Sequence, residues 1–189
     1  MLSTRTIRHR LSSEFKMVAR QASRKPLITR AARIKRLHWC HQHKNWTAEV
    51  WKRVVFSDES TFLQFHDTKR LVRRPSGTSP YNPAYTVKTI KHSPSVMVWG
   101  CFSYLGRGRL HFLEKNQKMN STLYTAILSE KLPHMTARIP NAIFQRDSAA
   151  CHTSKHTKKW FADNGINVLS WPGNSPDLNP IENLWHSMK

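Results

Sequence analysis

The spacing of apolar positions predicts helices in the first part of the chain. Between residues 27 and 43, apolar or weakly polar side chains recur every three or four positions among Arg and Lys, the pattern of an amphipathic helix. This stripe consists of Leu27, Ala31, Ile34, Leu37 and His41. Residues 3–11 predict a shorter helix capped by Ser3, and residues 45–47 have the composition of a further helix start.

Short apolar runs predict strands from residue 54 onward. The runs cover residues 54–59, 61–65, 95–103, 110–113, 142–147 and 167–170. A turn with two glycines over 104–109 joins two of these strands as a hairpin. Helices are predicted between the later strands and after the last one, at 120–132, 154–164 and 180–188. This order of elements predicts an α/β fold in which helices flank a sheet.

The charge of the chain points to a polyanionic partner. Lys and Arg total 31 against 11 Asp and Glu, and residues 1–53 alone carry +12 of the net +20. Such an imbalance favours nucleic acid or an acidic membrane surface. No apolar run approaches the roughly 18 residues of a membrane span, and the first residues lack the apolar core of a signal peptide. We therefore expect a nucleic-acid partner and no membrane.

Basic residues fall in three candidate DNA-binding segments. The helix at 3–11 would suit a DNA major groove, with a merely basic surface helix as the alternative. Residues 12–26 read as a basic linker, followed by the basic helix at 27–43. The loop over 68–91 is long for a compact domain, and we expect it to contact nucleic acid or a partner subunit. The candidates are Arg5, Arg8, Arg10, Arg24, Lys25, Arg30, Arg33, Lys69, Arg70, Arg73 and Arg74.

Cysteine and histidine give a weaker signal. The chain has three cysteines and no C-x-x-C pair, so we expect a reducing intracellular compartment rather than a disulfide framework. His38, Cys40, His41 and His43 cluster within the predicted basic helix and leave zinc open as an alternative. Because no second pair of ligands accompanies them, a solvated helix face is the favoured interpretation.

Three acidic residues occupy the ends of predicted elements. Asp58 and Asp147 end apolar strands, and Glu182 falls in the first turn of the last helix. Taken alone, Glu182 is better explained as a helix-start charge, because the helix macrodipole favours acids at that position. Together, three carboxylates in a strongly basic chain suggest hard divalent cations held against phosphate. Two such ions can activate a water or hydroxyl and stabilise the leaving oxygen of an in-line displacement.

Four segments resemble, in order, the motifs of Tc/mariner-type transposases of the DDE superfamily. They are FSDES at 56–60, VMVWGCF at 96–102, QRD at 145–147 with CHT at 151–153, and WPGNSPDLNPIENLW at 171–185. Asp147 and Glu182 are separated by 34 residues, the spacing of the branch whose third acid is Glu. The resemblance covers essentially the whole chain.

The resemblance implies an RNase H-like fold with a mixed central sheet flanked by helices, preceded by a basic helical DNA-binding remnant. Residues 1–52 would be the end of a helix-turn-helix plus linker, and 53–189 the DDE catalytic domain. Asp58, Asp147 and Glu182 would bind two Mg²⁺ or Mn²⁺ ions. The implied activity is endonuclease nicking at transposon terminal inverted repeats, then DNA integration by attack of the freed 3′-hydroxyl on a TA target. The insertion at 64–91 would assist assembly of a homodimer on double-stranded DNA, and the implied location is the nucleus.

The chain also departs from the pattern of that family. Family members begin with two helix-turn-helix units and continue well past the Glu-bearing helix, so truncation at both ends is expected. Ser148 and Ala150 stand where the family usually has Asn and Pro. An alternative therefore remains open, a catalytically inactive or repurposed DNA-binding protein derived from a transposase. An RNase H-like ribonuclease is a third possibility without support in the specific motifs.

Overall fold

Eight α-helices and six β-strands form the described part of this computed structural model, residues 3–17, 28–63, 72–86 and 94–189. The helices are α1 (Thr4–Ser13), α2 (Arg30–His43), α3 (Ala48–Trp51), α4 (Ser121–Lys131), α5 (Pro133–Thr136), α6 (Ala150–Thr153), α7 (Lys155–Asp163) and α8 (Ile181–Met188). The strands are β1 (Val54–Leu63), β2 (Ser95–Ser103), β3 (Gly106–Arg107), β4 (His111–Phe112), β5 (Ile143–Phe144) and β6 (Asn167–Val168). Two 3₁₀ turns, Pro83–Tyr85 and Pro176–Leu178, lie between them. None of the described helices is long and apolar enough to cross a membrane.

The sheet is mixed and is centred on β1. Its strand order is β3-β2-β1-β5-β6, and β4 also pairs with β2. β1 runs antiparallel to β2 from the pair Phe56↔Phe102 to the pair Leu63↔Ser95, and parallel to β5. β5 is in turn parallel to β6. The predicted α/β class with a mixed central sheet is therefore confirmed.

Helices cover both faces of this sheet, so that β1 is buried on each side. On one face, Val55 belongs to a core built with α4 and α7. The main residues of that core are Val55, Trp99, Tyr124, Ile127, Leu128, Phe144 and Phe161. On the other face, Val54 packs with Trp39 of α2. Further along the same face, Trp185 of α8 stands edge-on to Phe62, with ring centroids 5.9 Å apart.

Four helices begin with a side-chain cap, each at or near a helix start that the sequence predicted. The hydroxyl of Ser3 accepts a hydrogen bond from the N–H of Thr6, and Thr29 caps α2 in the same way. Asn120 caps α4 and Ser154 caps α7. Each cap satisfies one of the backbone N–H groups that a helix leaves unpaired at its start. Gly165, with φ of 61°, follows α7 and takes the left-handed conformation in which glycine commonly ends a helix.

The prediction of two separate strands at 54–59 and 61–65 was wrong. Residues 54–63 form a single strand, β1, which runs through Ser60 because Ser60 pairs with Val98 and is buried, and residues 64–65 lie outside the described residues. Asp58 consequently lies in the middle of a strand rather than at its end. The predicted turn at 104–109 was also too long, because β3 already pairs with β2 from Gly106.

The buried stripe of α2 also differs from the predicted one. Ala31, Ile34, Leu37 and His41 are all exposed, Ile34 and Leu37 to 59% each, and Leu27 lies outside the described residues. The helix instead buries Trp39, whose indole N–H donates to the carbonyl of Ser170 at 2.5 Å. The Trp39 ring also stacks on His43 and meets Trp171 edge-on. Because an aromatic ring buries more apolar surface than a short aliphatic side chain, this face of the helix turns toward the sheet.

Substituting Gly100 by Ala should destabilise the fold. A Cβ there would lie 2.8 Å from Cη2 of Trp185 and 2.9 Å from Cδ2 of Leu110. Overpacking of this kind costs about 1–3 kcal/mol, because the contacting side chains must leave their preferred rotamers. Urea denaturation should show the loss, whereas Gly173→Ala, whose Cβ would meet no atom within 4 Å, should match wild type. Equal unfolding midpoints for the two variants would contradict this packing.

Candidate active site

Asp58, Asp147 and Glu182 line a single cleft of about 380 Å³. Asp58 projects from the middle of β1, and Asp147 follows β5, the parallel neighbour of β1. Glu182 lies in the first turn of α8. Ser148, Ala149, Asn179 and the segment 171–176 complete the lining of this cleft, which we call the acidic cleft. Three carboxylates from distant parts of the sequence therefore meet at one place.

Asn179 attaches the start of α8 to β1. Its side-chain N–H donates to the carbonyl of Ser57 at 3.1 Å, and its side-chain oxygen accepts from the N–H of Ile181 at 3.3 Å. Asn179 is buried, so both bonds are shielded from water. Since Ser57 precedes Asp58 and Ile181 precedes Glu182, this one amide fixes two of the three acids relative to each other. Within the recognised motif, sequence reasoning did not assign Asn179 this role.

Gln145 joins the strand of Asp58 to the segment of Asp147. The N–H of Ser57 donates to the side-chain oxygen of Gln145 at 3.1 Å, and the hydroxyl of Ser57 donates to its carbonyl at 2.8 Å. Gln145 is fully buried. These bonds extend the pairing of β1 and β5 beyond the short β5 itself. The signal in the sequence was a polar residue within a strand that must be buried.

His152 holds Asp147 from behind the cleft. Its Nδ1 lies 2.5 Å from Oδ1 of Asp147, and its Nε2 forms an ion pair with Oε1 of Glu59 at 3.3 Å. The imidazole is buried and lies against the ring of Tyr124, with ring centroids 4.0 Å apart and an angle of 31° between the ring planes. Oδ1 of Asp147 also accepts from the N–H of Ala149 at 2.9 Å. Neither His152 nor Glu59 was assigned a role from the sequence.

The pKa values of this pair follow from these contacts. Burial alone would lower the pKa of His152, but the hydrogen bond to Asp147 and the pairing with Glu59 outweigh it and raise the pKa to about 9. Burial likewise opposes ionisation of Asp147, yet the bonds from His152 and Ala149 lower its pKa below the usual value. At neutral pH, His152 is therefore an imidazolium between two carboxylates.

Asp58 experiences the opposite environment. Burial raises its pKa to about 7, and the negative charges of Glu59, Glu182 and Asp147 add to the shift. Oxygen donors with crowded negative charge are the ligands that Mg²⁺, Mn²⁺ and Ca²⁺ prefer, so this donor set fits a hard divalent cation. No group of three His, Cys, Asp or Glu side chains in the described ranges is close enough to hold one ion. The three acids thus share a cleft rather than one ligand sphere.

Comparison with known proteins shows the family of this chain. Residues 53–189 match the model of the DDE superfamily endonuclease. The chain is 39% identical to the Tcb2 transposase of Caenorhabditis briggsae and 37% identical to the Tc1 transposase of Caenorhabditis elegans, in each case over 99% of this chain and 68% of the relative. The chain belongs to the Tc1/mariner transposases of the DDE superfamily.

Solved structures support the same fold. The Mos1 transposase in its paired-end complex with the left transposon end superposes with a TM-score of 0.83 at 19% sequence identity. That alignment covers 99% of this chain and 56% of the Mos1 chain, so the chain spans just over half of Mos1. The isolated Mos1 catalytic domain matches with a TM-score of 0.61. The RNase H-like fold expected for a DDE transposase is therefore confirmed.

The residues predicted to bind DNA are exposed wherever the structure describes them. Arg5, Arg8 and Arg10 are exposed on α1, a helix with no buried residue. Arg30 and Arg33 are exposed on α2, and Arg73 and Arg74 in the segment 72–86. Arg24, Lys25, Lys69 and Arg70 lie outside the described residues.

The cluster of His and Cys on α2 has a packing role at one position. Nδ1 of His43 lies 2.7 Å from the carbonyl of Trp39, and its ring is stacked on Trp39 and edge-on to Trp46. Cys40 is exposed. In the part of the chain that the structure describes, no ligand set for zinc is assembled here.

Proposed function

We propose that this chain is the catalytic part of a cut-and-paste DNA transposase, cleaving DNA at transposon ends and joining the freed 3′ end to target DNA. The observation that carries the proposal is the meeting of Asp58, Asp147 and Glu182 in one cleft of a DDE-family fold. The relatives named as transposases are longer than this chain, so the activity of a whole transposase is part of the proposal.

Asp58, Asp147 and Glu182 would hold divalent Mg²⁺ or Mn²⁺, and we propose two ions. Paired-end complexes of Mos1 are known with Mn and with Mg. When bound, such ions supply an activated water or 3′-hydroxyl and stabilise the leaving oxygen of the phosphodiester. The chain contributes the placement of the acids: His152 and Ala149 orient Asp147, and Asn179 orients the helix of Glu182.

The proposed substrate is double-stranded DNA bearing the terminal inverted repeats of the element, with TA as the target. The exposed arginines of α1 and α2 would neutralise backbone phosphates. A homodimer is proposed as the assembled state, with the segment 64–91 at its interface. Because the substrate is chromosomal DNA and the named Caenorhabditis relatives are eukaryotic, the proposed location is the nucleus.

Purified chain should nick plasmid DNA that carries the inverted repeats flanking its own coding sequence, and should do so only with Mn²⁺ or Mg²⁺. Chelation with EDTA should abolish nicking, and a plasmid without the repeats should be cut more slowly. Binding should weaken with salt, since each neutralised phosphate contributes a slope of about −0.9 in log affinity against log salt. Gel electrophoresis of nicked circles measures the first result and fluorescence anisotropy the second. Nicking that persists in EDTA would refute the proposal.

A non-catalytic DNA-binding protein is the second candidate. It is favoured by one observation, that Ser148 lines the acidic cleft beside Asp147 where the family usually has Asn. A hydroxyl donates and accepts through one oxygen on a shorter side chain, so it cannot reach the two separate partners that the oxygen and the nitrogen of an amide can bind. This candidate predicts salt-dependent binding without cleavage, unchanged by Asp58→Ala. The nicking assay therefore separates the two functions.

A further inference from the structure

Arg36 connects α2 to the turn that forms one wall of the acidic cleft. Its two terminal nitrogens donate to the two carboxylate oxygens of Asp177, at 2.9 and 2.6 Å. One of them also donates to the carbonyl of Asn174 at 3.3 Å. The Arg36 side chain is only 17% exposed. A bidentate pair of this kind fixes orientation as well as distance.

Trp39, on the same face of α2, holds the beginning of that wall. Its indole N–H bonds to the carbonyl of Ser170, and its ring meets Trp171 edge-on with centroids 5.0 Å apart. Leu178, at the other end of the wall, packs against the hydrophobic cluster that contains Trp39 and Val54. α2 therefore contacts the segment 170–178 at its start, at its middle and at its end.

This segment leads directly into the helix of Glu182. Trp171, Asn174 and Pro176 line the acidic cleft, and the segment is followed by Asn179, whose amide bonds to β1 and to the first turn of α8. A displacement of the segment would shift the start of α8. α2 is itself capped and carries Arg33 exposed on its outer side.

We infer that Arg36 is a positioning residue for Glu182: by clamping Asp177 and Asn174 it holds the segment 170–178 against α2 and so sets the third acid in the cleft. The inference rests on the proposed function in one respect, that the acidic cleft is catalytic. α2, which carries two of the arginines proposed to bind DNA, thereby becomes part of the support of the active site. Loss of the clamp should loosen the cleft without unfolding the sheet.

Hydrogen exchange in the presence of EDTA tests the clamp directly. In Arg36→Ala, amides of residues 173–183 should exchange faster, while those of β1 and β2 remain as in wild type. Arg33→Ala is the matched control, because it removes the same charge from the same helix without a contact to the segment. Arg36→Lys keeps the charge and the aliphatic stem but cannot form the bidentate pair, so it should give an intermediate rate. Near-UV circular dichroism checks that each variant is folded.

Calorimetric titration with Mn²⁺ gives the second readout. Partners that orient metal ligands typically account for 10–100-fold in metal affinity, so Arg36→Ala should weaken Mn²⁺ binding by roughly 10-fold. Arg33→Ala should bind Mn²⁺ as wild type does. The double variant Arg36→Asp with Asp177→Arg should recover part of the affinity that Arg36→Asp alone loses.

Equal exchange and equal Mn²⁺ affinity in Arg36→Ala and Arg33→Ala would overturn the inference. A different result separates it from the proposed function. If wild type neither binds Mn²⁺ nor nicks DNA, while exchange at 173–183 still rises in Arg36→Ala, the clamp stands and the catalytic proposal fails.

Discussion

Replacing Asp147 by Asn should abolish metal-dependent nicking and leave DNA binding intact. Asn has the same shape, and its side-chain oxygen can still accept from the N–H of Ala149, so the fold around it is retained. It lacks the negative charge of a carboxylate, and the affinity of a site for a hard divalent cation depends on the charge of its ligands. Loss of a proposed direct ligand should cost more than the roughly 100-fold upper range for an outer-shell partner. Time courses of plasmid nicking in Mn²⁺ measure the rate.

Asp163→Asn is the matched control for this variant. Asp163 is an exposed acid that pairs with Lys159, so its substitution makes the same change in charge away from the cleft. We expect its nicking rate to equal that of wild type. If Asp147→Asn nicks at the rate of Asp163→Asn, the cleavage comes from a contaminating nuclease and the assignment of the site is wrong.

Replacing His152 by Leu should destabilise the protein strongly. The substitution leaves Glu59 and Asp147 without the cation that lies between them, and the side chain of Glu59 is only 17% exposed. Removing one partner of a buried ion pair costs about 3–5 kcal/mol, because the remaining charge stays desolvated. Urea denaturation in EDTA should show a lower midpoint, and nicking should fall as Asp147 loses its orientation.

The stability that His152 contributes should depend on pH with a definite sign. Its pKa in the folded protein, about 9, lies above its ordinary value of 6.5. Its contribution, on the order of 3 kcal/mol, is therefore complete below pH 6.5 and lost as the pH rises toward 9. The pKa of Asp58 is also raised, to about 7, so its effect on the pH dependence of stability falls mainly below pH 7. Wild type should thus lose stability between pH 7 and 9, and His152→Leu should lose much less.

His186→Leu provides the comparison for both measurements. His186 is exposed on α8, so its substitution should leave the unfolding midpoint and its pH dependence close to those of wild type. A His152→Leu protein as stable as His186→Leu would contradict the assigned ion pair.

The sequence predicted most elements and the three acids that line the acidic cleft. The helix starts at Ser3, Asn120 and Ser154 follow from local chemistry. In each, the side-chain oxygen accepts from the N–H three residues later, so the signal lies within a few positions of the sequence. The meeting of Asp58, Asp147 and Glu182 followed from motif order and spacing. These features depend on residues close together in the chain or on a resemblance that spans it.

The supporting contacts could not be predicted, because their partners are far apart in the chain. The ion pair of His152 with Glu59 and the clamp of Arg36 on Asp177 both join residues whose proximity exists only after the sheet has formed. The error in predicting which face of α2 is buried has the same origin. Its sequence offers an aliphatic stripe and an aromatic one, and only the carbonyl of Ser170 and the ring of Trp171 select the second.

The neighbouring acids of β1 have separate tasks because a strand directs successive side chains to opposite sides. Asp58 faces the cleft, and Glu59 faces the imidazole of His152. A slip of one residue against β2 would place either Glu59 or Ser57 in the cleft, with Ser60 or Asp58 respectively facing the imidazole, so one of the two acids would always be displaced. The long pairing of β1 with β2 makes that slip costly. A design that moves this site to another scaffold must therefore reproduce the pairing register of the strand as well as the residues.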